Sequence, residues 1–263
     1  MTITIINDCC DQNAQARQVT RAATLLKCPV SFVGVASDLA AAGNLIDGLD
    51  AAEGRPGAVL INVAPRNAKG KKWGNGTPFG YFWYKETLVL STIDGQALSL
   101  VKKLKLAQAI HVLDVPSAVE SMIQVGALAR ELKNQIVNSQ FRSYDFSPRV
   151  AAFLLSGGKV ESKKCSLDEI TDAPQAIWWI DNFGNCKTTL TIEDVGFTSG
   201  STVEMRLGSL PCYARLKDVP DGQVALIIGS SGIEDQRFLE IVAQGGSAQK
   251  HFGLSSGDAL FSL

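Results

Sequence analysis

The segment Trp178–Leu190 reads WWIDNFGNCKTTL. An apolar run enters Asp-Asn-Phe-Gly-Asn, and a run with β-branched threonines leaves it. Aromatic and β-branched residues on both sides of a short turn containing glycine spell two antiparallel strands joined by a hairpin. A bare hairpin needs only Asn-Gly or Asp-Gly at its tip. This tip also carries Asp181, Phe183 and Asn185: an anionic acceptor, an aromatic face, and an amide that donates and accepts.

Outward from the hairpin, the C-terminal third continues in short strands, over 175–181, 186–192, 201–206, 209–215, 223–228 and 237–242. Gly, Pro and Asp turns separate them, which predicts a small all-β barrel or sandwich over 175–263. The stretch before it, SGGKVESKKCSLDEITDAP, is polar and lacks an apolar period, so 156–174 reads as a linker or crossover. The first 155 residues alternate strands and helices. Strands are expected at TITII, PVSFVGV, GAVLINVA, ETLVLSTI and AIHVLDV. Helices are expected at DQNAQARQVTRAATLL, at SDLAAAGNLIDGL with Ser37 as N-cap, and along the whole of Ser117–Ile136. Alternation of this kind predicts an α/β domain with a mostly parallel sheet covered on both faces.

The 263 residues are 46% apolar and 19% charged, with a net charge of -1. That length supports two modest cores. No basic field exists to hold a phosphate backbone, which argues against a nucleic-acid partner. No apolar run approaches the roughly 20 residues of a membrane helix, and the N-terminus reads as a strand rather than a signal peptide, so a cytoplasmic location is expected. The six cysteines form no C-x-x-C pair and have no histidine at ligand spacing, so no metal site is expected. Reduced, mostly buried thiols are the plain reading, with adjacent Cys9 and Cys10 noted because they follow the first strand.

Ligands of doubly wound sheets sit beyond the carboxyl ends of the strands. Asp8 lies just past the first strand, followed by Asp11 and Asn13. No G-x-G-x-x-G is present to cradle a pyrophosphate. A lone carboxylate there suits a ribose diol; alternatively Asp8 or Asp11 caps the first helix. The second candidate is 64–86, APRNAKGKKWGNGTPFGYFWYKE. It reads as a binding loop whose aromatics take a base or a sulfonium, or as a strand with Phe79, Tyr81 and Trp83 on one face.

The hairpin's IDNFGNCKTT resembles the Asp-x-Phe-Gly-Asn-x-x-Thr signature of the S-adenosyl-L-methionine (SAM) hydroxide adenosyltransferases, the family that includes fluorinase and chlorinase. The tail, IIGSSGIEDQRFLEIVAQGGSAQKHFGLSSGDAL, resembles the family's Gly-Ser-x-Gly, Leu-Glu-Ile, Gly-Ser-Ala and Leu-x-x-Gly-Asp run in the same order. TIDGQALSLV and IINDCCDQN resemble its Asp-Asn-Gly-Leu-Leu and opening segments. The resemblance implies an α/β domain followed by a β domain. It also implies a homotrimer whose small-molecule nucleoside ligand lies between one subunit's first domain and the next subunit's second, with no cofactor beyond SAM itself. Carried over by position, Asp8 would hold the ribose hydroxyls and Asp181 the methionine ammonium. Phe183 would stack on adenine, Asn185 would bond its edge, and backbone near Gly245 would meet it. Ser231 would contact the amino-acid end, and Asn13 and Arg237 join the substrate-binding set.

In this family a nucleophile attacks C5′ in line with the departing methionine sulfur, and the protein positions and desolvates it. Hydrolytic members resemble one another in an Asp-Arg-His set that positions water. Here VAPRNAKGKK places Ala64 where the Asp falls and Lys71 or Lys72 where the Arg falls. FRSYDFSPR has no histidine, and His111 and His251 lie elsewhere. Three readings follow. The first is cleavage of SAM to adenosine and methionine by another constellation, drawn from Arg66, Lys71, Arg142, Tyr144 and Asp145, with Lys71, Arg142 and Asp145 as its catalytic residues. The second is a non-catalytic adenosine or SAM binder. The third is an enzyme for a different adenosine-like ligand.

Overall fold

The computed structural model describes residues 1–63 and 77–261. The chain divides into two compact units, Met1–Asp172 and Ala173–Leu263.

The first unit opens with β1 (Thr2–Asn7), α1 (Gln12–Leu26), β2 (Val30–Gly34), α2 (Asp38–Ala52) and β3 (Gly57–Asn62). Asp11 caps α1 by accepting from the N–H groups of Asn13 and Ala14, both at 3.1 Å. Ser37 caps α2, accepting from Ala40 at 3.1 Å. Next come β4 (Phe79–Tyr84), β5 (Thr87–Thr92), α3 (Ser99–Lys103), β6 (Ala109–Leu113), α4 (Val115–Gln124), α5 (Lys133–Val137), α6 (Arg142–Asp145), α7 (Ser147–Leu155) and β7 (Ser162–Ser166). The seven strands form one sheet in the order β2-β1-β3-β5-β4-β6-β7. The first four are mutually parallel, while β4 runs antiparallel to β5 and β6, and β7 antiparallel to β6. The central strand β5 is buried on both faces, with every one of its residues out of solvent. That is the pattern of a strand covered by helices on either side.

Two expectations meet corrections here, and for a third the structure decides between its two alternatives. The helix expected over Ser117–Ile136 is two helices. At the end of α4, Gly126 adopts φ +74°, its N–H bonds the Ile123 carbonyl, and the Ala127 N–H bonds the Met122 carbonyl. This is the Schellman closure that glycine permits. The expected linker 156–174 contains β7, whose Leu113↔Ser162 to Ala109↔Ser166 register extends the sheet. SKKCS lacks an apolar alternation because it is an edge strand with Lys163 and Lys164 exposed. Finally, the described part of the 64–86 segment includes a strand: Phe79 is buried, Tyr81 half-buried and Trp83 exposed on one face of β4. The remainder, with Ala64, Arg66, Lys69, Lys71, Lys72 and Trp73, lies outside the described residues.

The second unit contains β8 (Ile177–Ile180), β9 (Cys186–Thr191), α8 (Ile192–Val195), β10 (Thr202–Met205), β11 (Gly208–Tyr213), β12 (Val224–Ile233), β13 (Gln236–Ala243) and α9 (Ala248–Phe252). Its strands form a six-stranded sheet in the order β10-β11-β12-β13-β9-β8. All pairs are antiparallel except β11 with β12. Ile177, Cys186, Leu190, Leu226, Leu239 and Ile241 point into one core. β12 runs past its expected end at residue 228 by way of a bulge between Ile228 and Gly232, where Gly232 takes φ +128°.

Candidate functional site

In the second unit, β8 and β9 present the Asp181–Asn185 turn. Its conformation is dictated by Asp181. One carboxylate oxygen accepts the N–H groups of Phe183 and Asn185, both at 2.9 Å, and the other accepts Asn185 Nδ2 at 2.9 Å. This is the local side-chain-to-backbone bonding that makes aspartate a turn former. Gly184 sits at φ +83°, and a Cβ there would fall on Ser247 Oγ. The Gly184 carbonyl also accepts the Gln249 N–H at 2.9 Å, so the start of α9 braces the tip. Two results matter for recognition. Phe183 is pushed outward and is 78% exposed. Asn185 spends its Nδ2 on Asp181, which leaves Oδ1 as the acceptor that the turn does not use.

The tip borders an open cleft of about 670 Å³. Asp181, Phe183, Asn185 and Gly245 all line it, together with Lys187 and Glu240. Gly245 takes φ +71°, and nothing lies within 4 Å of where its Cβ would stand. Its backbone is therefore open to a ligand. Ser231 is 2% exposed and accepts from Lys187 Nζ at 2.6 Å. Arg237 does not line the cleft. Its Nη1 donates to the carbonyls of Ser230 at 3.2 Å and Gly232 at 3.3 Å, fastening the β12 bulge. Lys187 and Glu240 escaped the sequence reading. The signal for each is a charged residue in an alternating strand whose neighbours are core residues.

In the first unit, the sheet order places β2 on one side of β1 and β3 on the other. The carboxyl ends of β1 and β3 therefore flank a topological switch point, where α/β sheets take their ligands. Asp8 stands there, half-buried, with its N–H toward the Asn62 carbonyl at 3.4 Å. The helix cap is Asp11, so Asp8 is not consumed by that role. Asn13 is exposed in the first turn of α1, where its N–H serves the cap. A closed ring of amides sets the loop after Asp8. The Cys9 N–H donates to Asn7 Oδ1 at 2.9 Å, Asn7 Nδ2 to Gln18 Oε1 at 2.6 Å, and Gln18 Nε2 to the Cys9 carbonyl at 3.2 Å. Asn7 is fully buried.

Arg142 and Asp145 sit on α6 at the same edge, but each is engaged. Arg142 donates to the Thr77 carbonyl at 2.8 Å and lies over the Phe79 ring. Burial lowers its pKa from the ordinary arginine value. Asp145 is 7% exposed and accepts from Ser139 Oγ at 2.6 Å, with Arg21 Nη1 at 3.9 Å. Arg21 and Arg17 both pack on the Tyr144 ring, and Arg21 donates to its hydroxyl at 2.6 Å. The third catalytic expectation, Lys71, lies outside the described residues.

The histidines are elsewhere. His111 bonds Ser162 Oγ at 3.1 Å and stacks on Tyr81, and His251 sits edge-on to Phe252. Among the described residues, no three His, Cys, Asp or Glu gather to hold a metal ion. Cys9 and Cys10 are exposed, whereas Cys186 and Cys212 are buried. Among the described residues, no helix is long and apolar enough to cross a membrane.

The second unit is a domain of a known class. Residues 175–261 match the SAM hydroxide adenosyltransferase C-terminal domain. This bears out the resemblance carried by the hairpin and the tail over those residues. No curated protein matches the chain. Among solved structures, the chain is similar to an uncharacterized conserved protein from Thermotoga maritima. That likeness has 17% identity and a TM-score of 0.66, covering 97% of this chain and 98% of that one. A conserved hypothetical protein from Thermus thermophilus is similar at 18% identity and a TM-score of 0.62, covering 97% of each chain. At these identities the likeness concerns the fold alone.

Proposed function

We propose that this protein binds SAM or adenosine through the β8–β9 turn and cleaves SAM by nucleophilic attack at C5′, releasing adenosine and methionine. One observation carries the reading: an exposed aromatic face, an amide acceptor and an open glycine backbone, Phe183, Asn185 and Gly245, surround one cleft. Adenine offers the matching groups, a π face and an amino donor on its edge. The ribose diol is taken by Asp8 of a neighbouring copy, with the protein acting as a homotrimer and SAM as its only small-molecule requirement. Asp181 directs its remaining lone pairs at the methionine ammonium. The sulfonium is already a good leaving group, so orienting C5′ and excluding bulk water are the main demands on the protein.

The test is incubation with SAM, with adenosine and methionine quantified by mass spectrometry. Equimolar release of both supports cleavage. Tight binding with no product over hours would leave a non-catalytic binder. Absence of binding by SAM and adenosine alike defeats both. The binder reading has its own support, because Arg142 and Asp145 are committed to structural bonds and Ala64 stands where hydrolytic relatives carry an aspartate.

A further inference from the structure

A row of side chains crosses three strands of the first sheet. Tyr81 of β4 pairs with His111 of β6, and His111 pairs with Lys164 of β7. Directly opposed residues project from one face of a sheet, and the Tyr81 and His111 rings stack at 5.0 Å. Trp83 lies two residues further along β4 on the same face. It is paired with Leu88 at the start of β5, so it stands at the opposite end of the sheet from Asp8. Phe79, two residues before Tyr81, packs against Phe146 with centroids 5.9 Å apart, whereas Trp83 is 43% exposed. An open cleft of about 630 Å³ is lined by Trp83, His111, Lys164 and the connection from Lys105 to Gln108 between α3 and β6. All of its lining belongs to the first unit.

The chain carries 26 acidic and 25 basic residues, yet no Asp or Glu is among the described residues lining this cleft. Lys105 and Lys164 are exposed, and neither makes an ion pair among the described residues. His111 bonds Ser162 through Nδ1, so Nε2 is its remaining polar atom. A single exposed tryptophan or lysine is ordinary at a surface. Here an aromatic face and two cations share one concavity with no balancing carboxylate, and a concave wall of low dielectric focuses their field. Such a cleft favours an anion. Trp83 adds a broad face on which a flat ring can lie. A bare anion would leave that face unused, and a neutral ring would leave the lysines unused.

We propose that this cleft is a second ligand site, which takes a small planar aromatic anion. The ring lies on Trp83, the anionic group meets Lys105 and Lys164, and His111 Nε2 supplies a further polar contact. Trp83 alone of the β4 aromatics is exposed, so it is the one left to receive a ring. The lining shares no residue with the cleft at the β8–β9 turn, and the inference does not depend on the adenosyl reading.

The test uses the full chain and three probes: 2-naphthoate, the neutral 2-naphthylmethanol and inorganic phosphate, each measured by equilibrium dialysis at low salt. Naphthoate is expected to bind at least about threefold tighter than the alcohol, a modest gain because the lysines are exposed. Added salt should shrink that gain. Lys105→Gln combined with Lys164→Gln removes it and leaves the alcohol unchanged, and exposed substitutions of this kind disturb the fold little. Trp83→Ala weakens both aromatic probes by about fivefold or more, while Phe183→Ala leaves them unchanged. Three results overturn the proposal on wild type alone: no naphthoate binding, equal binding of acid and alcohol, or phosphate binding as tightly as naphthoate. Naphthoate binding lost in Phe183→Ala and kept in Trp83→Ala overturns it too, since the probe then occupies the β8–β9 cleft. An acidic, tryptophan-containing peptide that binds where naphthoate does not would give this face to a protein partner and overturn the small-ligand assignment.

Discussion

Asp181 and Asn185 close the β8–β9 tip on itself. The carboxylate receives both the backbone N–H and the side-chain Nδ2 of Asn185, each at 2.9 Å. The residue that sets the turn thereby also orients the amide that lines the cleft.

Asp181→Ala removes three acceptor contacts at once. We expect a stability loss of about 2 kcal/mol in urea titration, since stranded turn donors cost about 1–3 kcal/mol. Asp181→Asn keeps an acceptor for the turn and is expected to lose less. Equal stability of Asp181→Ala and wild type would contradict the assigned role.

Phe183→Ala separates recognition from folding. The ring is 78% exposed, so its removal should leave stability within about 0.5 kcal/mol. Base stacking is worth about 1–3 kcal/mol, so affinity for adenosine should fall about tenfold or more. Unchanged affinity in calorimetry would remove Phe183 from the ligand site.

Gly184→Ala meets two obstacles, a backbone at φ +83° and Ser247 Oγ where the new methyl must go. A melting experiment should show a loss of at least about 1 kcal/mol. Adding Ser247→Gly should recover part of it, because only the steric obstacle is lifted.

Gln18→Leu breaks the amide ring around Cys9, leaving the buried Asn7 Nδ2 without its acceptor. The expected cost is about 1–3 kcal/mol. Because the ring sets the loop that carries Asp8, ligand affinity should fall as well, and Gln18→Glu, which keeps an acceptor for Asn7, should be milder on both readouts.

The Cys186 thiol supplies a pH test. Burial first, then the charges of Asp181, Glu240 and Asp258, push its pKa up to about 12 from 9.0. Between those values the unfolded chain gives up a proton that the native state keeps. Stability contributed by this group is therefore whole below pH 9 and is lost as pH rises toward 12. The advantage of wild type over Cys186→Ala should shrink across that window in parallel denaturation curves. A constant gap would show that the thiol titrates alike in both states.

Local chemistry made much of this fold legible. Ser37 caps the helix its sequence announces, and the Asp181–Asn185 turn follows from its own five residues. What escaped was non-local or one-sided. β7 carries no apolar alternation because, among the described residues, it pairs on one flank only, so SKKCS reads as a tether. The α4 terminus was marked by Gly126, yet the apolar period on both sides masked it. The Asn7–Gln18 ring joins residues eleven apart across a strand end, which periodicity does not register. Lys187 was visible as a charge in a strand, but its neighbours Glu240 and Ser231 come from β13 and β12.

The lysine pair on β7 has a consequence for behaviour at high concentration. An uncovered sheet border offers its amides to any passing chain, and flat, greasy borders seed fibrils. Here an incoming segment must desolvate two ammonium groups before it can zip on. The protein is thereby steered away from open-ended polymerisation along this border.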